Sequence, residues 1–327
     1  MGFLRRSRPR TRILFATAVH GSEVVFRKFL NAVRVYEADV AILGGDLTGK
    51  KLAPVVADGD GNGNGWTTSI AGEERRISSD EELARVTEAI RNLGHYPVVV
   101  TRDEYERLQV EPGAVDERFE AECRRQVEDW MNRAAERMDD CGVPIFVTGG
   151  NDDFLSVEPI IELAPYVTNA EGRIVEVPPG VEMISTGSSN PTPWQCPRDI
   201  TEEELGERIE AMASRLRDAR RAIFNFHVPP FHSGIDQCVK LDTSVSPPRP
   251  VMGEEIAAGS TAVRAAIERH APLLSLHGHI HESRGVQRIG RTTCVNPGSE
   301  YGEGVLRSAV VDLLDRGDEV NVQLLAA

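Results

Sequence analysis

The stretch Leu276-His277-Gly278-His279-Ile280-His281 repeats histidine at every second position. In extended chain, residues two apart point the same way, so His279 and His281 present two imidazoles to one side. Gly278 lets the backbone approach closely. Paired neutral imidazoles are metal ligands. Two histidines at a loop can equally be solvated, so the rest of the donor set decides. The other donors come in order, each after an apolar run. His20 follows Ile13-Leu14-Phe15-Ala16, and Asp46 follows Val40-Ala41-Ile42-Leu43. Asn151 and Asp152 follow Ile145-Phe146-Val147, and His227 follows Ala222-Ile223-Phe224-Asn225-Phe226. This set mixes nitrogen and oxygen donors and is poor in thiolate, which suits manganese, iron or zinc rather than a structural zinc site.

The elements that must position these residues read as buried strands opening into loops. In open α/β sheets, sites lie beyond the carboxyl ends of the strands, so five such loops can converge. A turn at Gly21 opens a helix with one apolar face, through Val24, Phe26, Phe29, Leu30 and Val33. Residues 51–77 read as a hairpin. Its turn, Asp58-Gly59-Asp60-Gly61-Asn62-Gly63-Asn64-Gly65, imitates a calcium loop but has Ser69 where the bidentate Glu belongs. Ser78 and Glu81 read as a capping box for a helix reaching about Asn92. A long helix over about 114–140 follows Pro112-Gly113. Together these make a hairpin and helical insert at about 51–142, expected to cap the sheet edge. Thr201 with Glu204 caps another helix. Residues 228–259, with five prolines, read as a long loop of the kind that forms lids or stays mobile. Strands near 285–288, 292–295, 307–312 and 319–324 are expected to complete a second sheet. Trp194, in a Pro-rich loop, suits stacking on a base or aryl group, or covering the sheet.

Composition narrows the partners. The 327-residue chain is 40% hydrophobic and 27% charged, with a net charge of −14. That balance argues against an extended nucleic-acid-binding face and against adsorption to anionic lipid. The five cysteines form no C-x-x-C pair, as expected of reduced thiols in a cytoplasm. No apolar run approaches a membrane span. Residues 1–11, rich in arginine, read as a solvated basic tail, leaving 12–327 as a single domain.

The ordered set resembles the calcineurin-like metallophosphoesterases, whose motifs read D-x-H, G-D, G-N-H-[DE], a lone H and G-H-x-H. The matching residues are Ala18-Val19-His20, Gly45-Asp46, Gly150-Asn151-Asp152-Asp153, His227 and Gly278-His279-Ile280-His281. Gly44-Gly45-Asp46-Leu47-Thr48-Gly49-Lys50, His227-Val228-Pro229-Pro230 and Gly278-His279-Ile280-His281-Glu282-Ser283 look like the branch related to cyclic-nucleotide phosphodiesterases. Two departures stand out. Ala18 occupies the place of the first Asp ligand, and Asp152 the place of the catalytic His.

The resemblance implies an α/β fold, a four-layer αββα sandwich of two mixed β-sheets flanked by helices. It implies two divalent transition metal ions, manganese first, with iron or zinc as alternatives. One would use position 18, His20, Asp46 and His281; the other Asp46, Asn151, His227 and His279. A hydroxide bridging them would attack phosphorus in line. An ionised Asp152 repels a monoester dianion more than a diester. The expectation is therefore a phosphodiesterase acting on a small-molecule diester such as a cyclic nucleotide, inactivated or weakened by Ala18. Asp152 and His232 are the candidate catalytic groups. Asn151, Asp152, Trp194 and His277 are the candidate substrate contacts, with His277 alternatively a satisfied strand-end histidine. The competing reading is a catalytically dead binding or scaffold protein. A homo-oligomer is compatible with the sequence.

Overall fold

The computed structural model describes residues 10–58, 65–70, 72–138, 141–314 and 319–327. The calcium-like turn at 59–64 and residues 1–9 of the basic tail lie outside the described residues.

The chain begins with a parallel βαβ unit: β1 (Arg10–Ala16), α1 (Glu23–Val35) and β2 (Val40–Gly44). An insert follows, made of β3 (Lys51–Ala57), β4 (Trp66–Ile70), β5 (Glu73–Ile77), α2 (Asp80–Asn92), β6 (His95–Val100), α3 (Arg102–Val110) and α4 (Ala114–Met138). Then come β7 (Ile145–Thr148), α5 (Glu158–Leu163), β8 (Val167–Asn169), β9 (Ile174–Val177), β10 (Val181–Thr186), α6 (Glu202–Ala213) and β11 (Ile223–Phe226). The chain finishes with β12 (Gln237–Asp242), β13 (Arg249–Ala257), α7 (Thr261–His270), β14 (Leu274–Leu276), β15 (Gly285–Ile289), β16 (Thr292–Asn296), β17 (Arg307–Leu314) and β18 (Val320–Ala326).

Two mixed six-stranded sheets carry the fold, in the orders β18-β17-β1-β2-β7-β8 and β15-β16-β14-β11-β10-β9. The period-2 alternation of strand side chains builds the layers. In the first sheet, Leu14, Ala16 and Leu43 face Phe26, Phe29 and Leu30 of α1 and Trp130 and Met131 of α4. Their neighbours Ile13, Phe15, Val40 and Ile42 face the other way, onto Ile223, Leu274, Leu276 and Val295 of the second sheet. Phe224 and Phe226 of the second sheet meet Leu205 and Ile209 of α6 and Val263 and Ile267 of α7. Both faces of both sheets are covered, giving an αββα sandwich. The inter-sheet layer turns polar toward the strand ends. There the Asn225 amide donates to Thr148 Oγ1 and Ser185 Oγ, each at 3.1 Å.

Several expectations are corrected. Residues 228–259 are not a structureless loop: β12 and β13 pair as an antiparallel hairpin. Along β13 almost every side chain is exposed, so it lacks the alternation that marks a strand. β17 and β18 join the first sheet, not the second. β17 pairs with β1 and buries Ala309 and Val311 between the sheets. Alternation reveals buried faces but not which sheet supplies the neighbour. The cap of α2 lies one residue later. Ser79 accepts from Glu82 N at 3.2 Å, while Glu82 accepts from Ser78 N at 3.0 Å. The first strand takes in Arg10 and Thr11, with Arg10 against Asp312 at 3.6 Å. The insert forms its own four-stranded sheet, β5-β4-β3-β6, and α4 returns to cover the first large sheet. All five cysteines are free thiols. Among the described residues, no helix is long and apolar enough to cross a membrane.

Candidate metal centre

Parallel strands bring their carboxyl ends to one side, and the histidines and carboxylates follow those ends. His20 lies past β1, Asp46 past β2 and Asn151 past β7, all from the first sheet. His227 follows β11, and His279 and His281 follow β14, from the second sheet. The gap between two sheets is thereby closed by donors from both.

Two groupings result: His20, Asp46 and His281, and Asp46, His227 and His279, with the donor atoms of each within 4.8 Å of one another. Asp46 belongs to both. Its Oδ2 lies 3.4 Å from His20 Nε2 and 3.1 Å from His227 Nε2. The Nε2 atoms of His20 and His281 are 2.9 Å apart, and Asn151 Oδ1 is 2.9 Å from His279 Nδ1. Neighbouring ligands on one ion bound at about 2 Å sit roughly 3 Å apart, so these separations suit shared coordination. The donor chemistry agrees. His20 and His227 are fully buried, and His227 Nε2 faces Asp46 Oδ2, its co-member of the second grouping. The other nitrogen, Nδ1, meets Gly44 O at 3.0 Å. With Nδ1 donating to that carbonyl, the neutral ring presents its Nε2 lone pair to the grouping. The residues of these groupings therefore fit a metal ion.

Close packing makes the approach feasible. A Cβ on Gly150 would lie 2.1 Å from Asp46 Oδ1, and one on Gly45 would lie 2.4 Å from His227 Nδ1. Backbone strain also collects here. Ala18, His20, Asp46 and His279 have φ of 50°, 40°, 52° and 64°. Such left-handed conformations are costly for non-glycine residues and cluster at functional sites. Asp153, fully buried, holds the loop after β2. Its carboxylate accepts from Leu47 N, Thr48 N and Thr48 Oγ1 at 2.9, 2.8 and 2.7 Å.

Burial sets the charge states. It pushes His279 down to about 3 and His281 down to about 4, and it holds His20 well below its ordinary value. Neutral imidazoles can bind a metal. Burial alone would raise Asp46, but the adjacent His227 and His20 outweigh it and hold the carboxyl well below the usual range. Burial likewise opposes protonation of His227, and the Asp46 carboxylate overrides it, raising the imidazole.

The other expected residues fall in different places. Ala18 is buried beside the first grouping, its N–H donating to Gly45 O at 2.9 Å and its carbonyl accepting from Ser299 Oγ at 2.6 Å. Its methyl offers no donor atom. Asp152 sits at the rim. Lys50 Nζ pairs with its Oδ2, and Cys196 Sγ lies 2.8 Å from its Oδ1. Trp194 is 64% exposed, on the loop that carries Cys196. His277 is fully buried, its Nδ1 meeting the carbonyls of Phe226 and Val228 at 2.9 and 3.1 Å. Through Nδ1 it ties β14 to β11, while its Nε2 is buried without a hydrogen-bond partner. His232 packs its ring against Phe231, with centroids 4.0 Å apart, and its N–H donates to Asp236. Among the described residues, no contact joins it to the cluster.

Sequence reasoning missed Lys50 and Asp199. Asp199 Oδ1 accepts from Asn151 Nδ2 at 3.1 Å, which turns Asn151 Oδ1 toward His279. Its Oδ2 accepts from Thr192 N and Cys196 N at 2.9 and 3.0 Å. One carboxylate thus orients a ligand and shapes the Trp194 loop. Nothing local marks Asp199, since its partner lies 48 residues away. Lys50 was visible as the end of the Gly44–Lys50 string, but no spacing rule assigned it a partner.

No family model matches the chain. The uncharacterized protein MJ1162 of Methanocaldococcus jannaschii is 30% identical over 150 residues, which are 45% of this chain and 61% of that protein. The chain thus matches less than two thirds of that relative's length. Two crystal structures share the fold. One has a TM-score of 0.55 at 16% identity, covering 96% of this chain and 99% of the other. TT1561 of Thermus thermophilus has a TM-score of 0.52 at 16% identity, with the same 96% and 99% coverage.

Proposed function

We propose that this chain is a metallophosphoesterase-type phosphodiesterase, taking two divalent transition ions and weakened at Ala18. The observation that carries the reading is Asp46, one buried carboxylate shared by two histidine groupings. A carboxylate can offer an oxygen to each of two cations. Bound there, divalent ions supply Lewis acidity toward a phosphoryl oxygen and activate water at neutral pH. The chain's own residues do the rest. Asn151, oriented by Asp199, and the buried histidines hold the donor geometry. The covering sheets keep water from the rear of the site.

The rim supports a diester substrate. There Lys50 is matched by Asp152, which leaves that pair with little excess positive charge for a dianion. A singly charged diester fits that balance better. Exposed Trp194 offers a surface for a base or aryl group, as in a cyclic nucleotide.

The decisive experiment restores an acid at the first grouping. Ala18→Asp suits the backbone as well, because Asp tolerates a left-handed φ better than Ala. The variant is expected to bind a second manganese ion and to gain several orders of magnitude in hydrolysis of aryl phosphate diesters, with monoesters slower. A variant that binds two ions yet cleaves no ester across a broad panel sinks this reading and leaves the scaffold reading.

A further inference from the structure

We infer that Lys50 is a phosphate-contacting residue of this centre, poised at its rim by Asp152; the inference rests on the phosphoesterase reading above. Three observations carry it. First, Lys50 is mounted rigidly relative to Asp46. Asp153 holds Leu47 and Thr48, Gly49 N donates to Tyr96 Oη at 2.7 Å, and Lys50 N donates to Gly94 O at 3.2 Å. Tyr96 is itself braced by Gln126 at 2.8 Å.

Second, the partner carboxylate is fixed from the opposite side. Asp152 N donates to Asp46 Oδ1 at 3.1 Å, and Cys196 Sγ lies 2.8 Å from Asp152 Oδ1. The oxygen that meets Lys50 Nζ, Oδ2, lies 3.8 Å from His20 Nδ1. The ammonium therefore stands one carboxylate away from the first grouping.

Third, Lys50 is reachable. Its side chain is 40% exposed, against 0% for His20 and 3% for Asp46. A partly exposed ion pair is weak, so an arriving phosphate oxygen can share the ammonium without displacing a strong bond. Asp152 then acts on phosphate only through Lys50, as a positioning residue. This differs from a histidine at that position, which would touch the phosphate itself.

The test titrates inorganic phosphate into the manganese-loaded chain by calorimetry, with metal content measured in parallel. Lys50→Met is expected to retain the metal and weaken phosphate binding about tenfold or more, the loss of one charge-assisted contact. Lys50→Arg is expected to recover most of it. Phosphate affinity within about twofold of the parent in Lys50→Met would overturn the inference. So would loss of metal in that variant, which makes the lysine structural, or a parent that binds no phosphate. The phosphoesterase reading is judged separately, by diester hydrolysis in Ala18→Asp. If that variant hydrolyses esters and adding Lys50→Met leaves KM unchanged, only the lysine proposal falls.

Discussion

The two halves of the centre share Asp46 and little else. Around His227 and His279 the donors are braced. His227 Nδ1 is held by Gly44 O at 3.0 Å, and Asn151 by Asp199 at 3.1 Å. Around His20 and His281 the bracing is thin. His20 Nδ1 is buried without a hydrogen-bond partner, the nearest carboxylate oxygen, on Asp152, is 3.8 Å away, and position 18 offers a methyl group. Partners behind a metal ligand fix its ring and raise its basicity, so equal donor types need not give equal affinity. A carboxylate shared by two groupings does not by itself give them the same bracing.

The sharpest way to break this comparison is to remove one histidine from each half. His227→Ala should strip the tighter manganese ion, while His20→Ala should change metal content little, because its half is already short of a donor. Equal losses by atomic emission would show that the halves are equivalent. A smaller effect is expected from Asp199→Ala. Freeing the Asn151 amide should weaken manganese binding by about 10–100-fold in competition with a chelating dye. Metal affinity unchanged by Asp199→Ala would mean that Asn151 needs no orienting partner.

A third effect concerns protons and the metal-free protein. Burial pushes His277 down to about 4, with bonds to Phe226 and Val228 opposing it. The unfolded chain titrates near about 6.5 and so takes up a proton that the folded chain refuses. Stability should fall as pH drops from about 6.5 toward 4 and return as pH rises. Each such histidine contributes roughly 1.4 kcal/mol per pH unit within that window. Urea midpoints in the presence of a chelator check this. A His277→Asn variant, which can keep a donor to the carbonyls, should show a shallower slope. An identical slope would place the effect on the other buried histidines.

How far the sequence reached depends on whether each signal was local. The apolar runs ending at residues 16, 43, 147, 226 and 275 announced strands, and the donors just past them announced a shared edge. The capping box of Thr201 and Glu204 is local too, and both of its bonds are present. The hairpin of β12 and β13 escaped because its exposed side chains follow no hydrophobic period. β17 and β18 were visible as strands and misplaced as neighbours. Pairing to β1 joins residues about 300 apart, as Arg10 with Leu314, and no local pattern encodes that choice.

The site divides the same way. The identity and order of the candidate donors belong to the sequence: His20, Asp46, Asn151, His227, His279 and His281, with a methyl group at Ala18. Side-chain chemistry and its position past a strand are written residue by residue. Which donors share an edge, that Lys50 pairs with Asp152, that Asp199 turns Asn151, and that His277 is sealed away were decided by tertiary structure. Each depends on the packing of one sheet against the other and on loops from distant segments meeting within hydrogen-bond range. Distances of about 3 Å are properties of that packing, and residue types alone do not specify them.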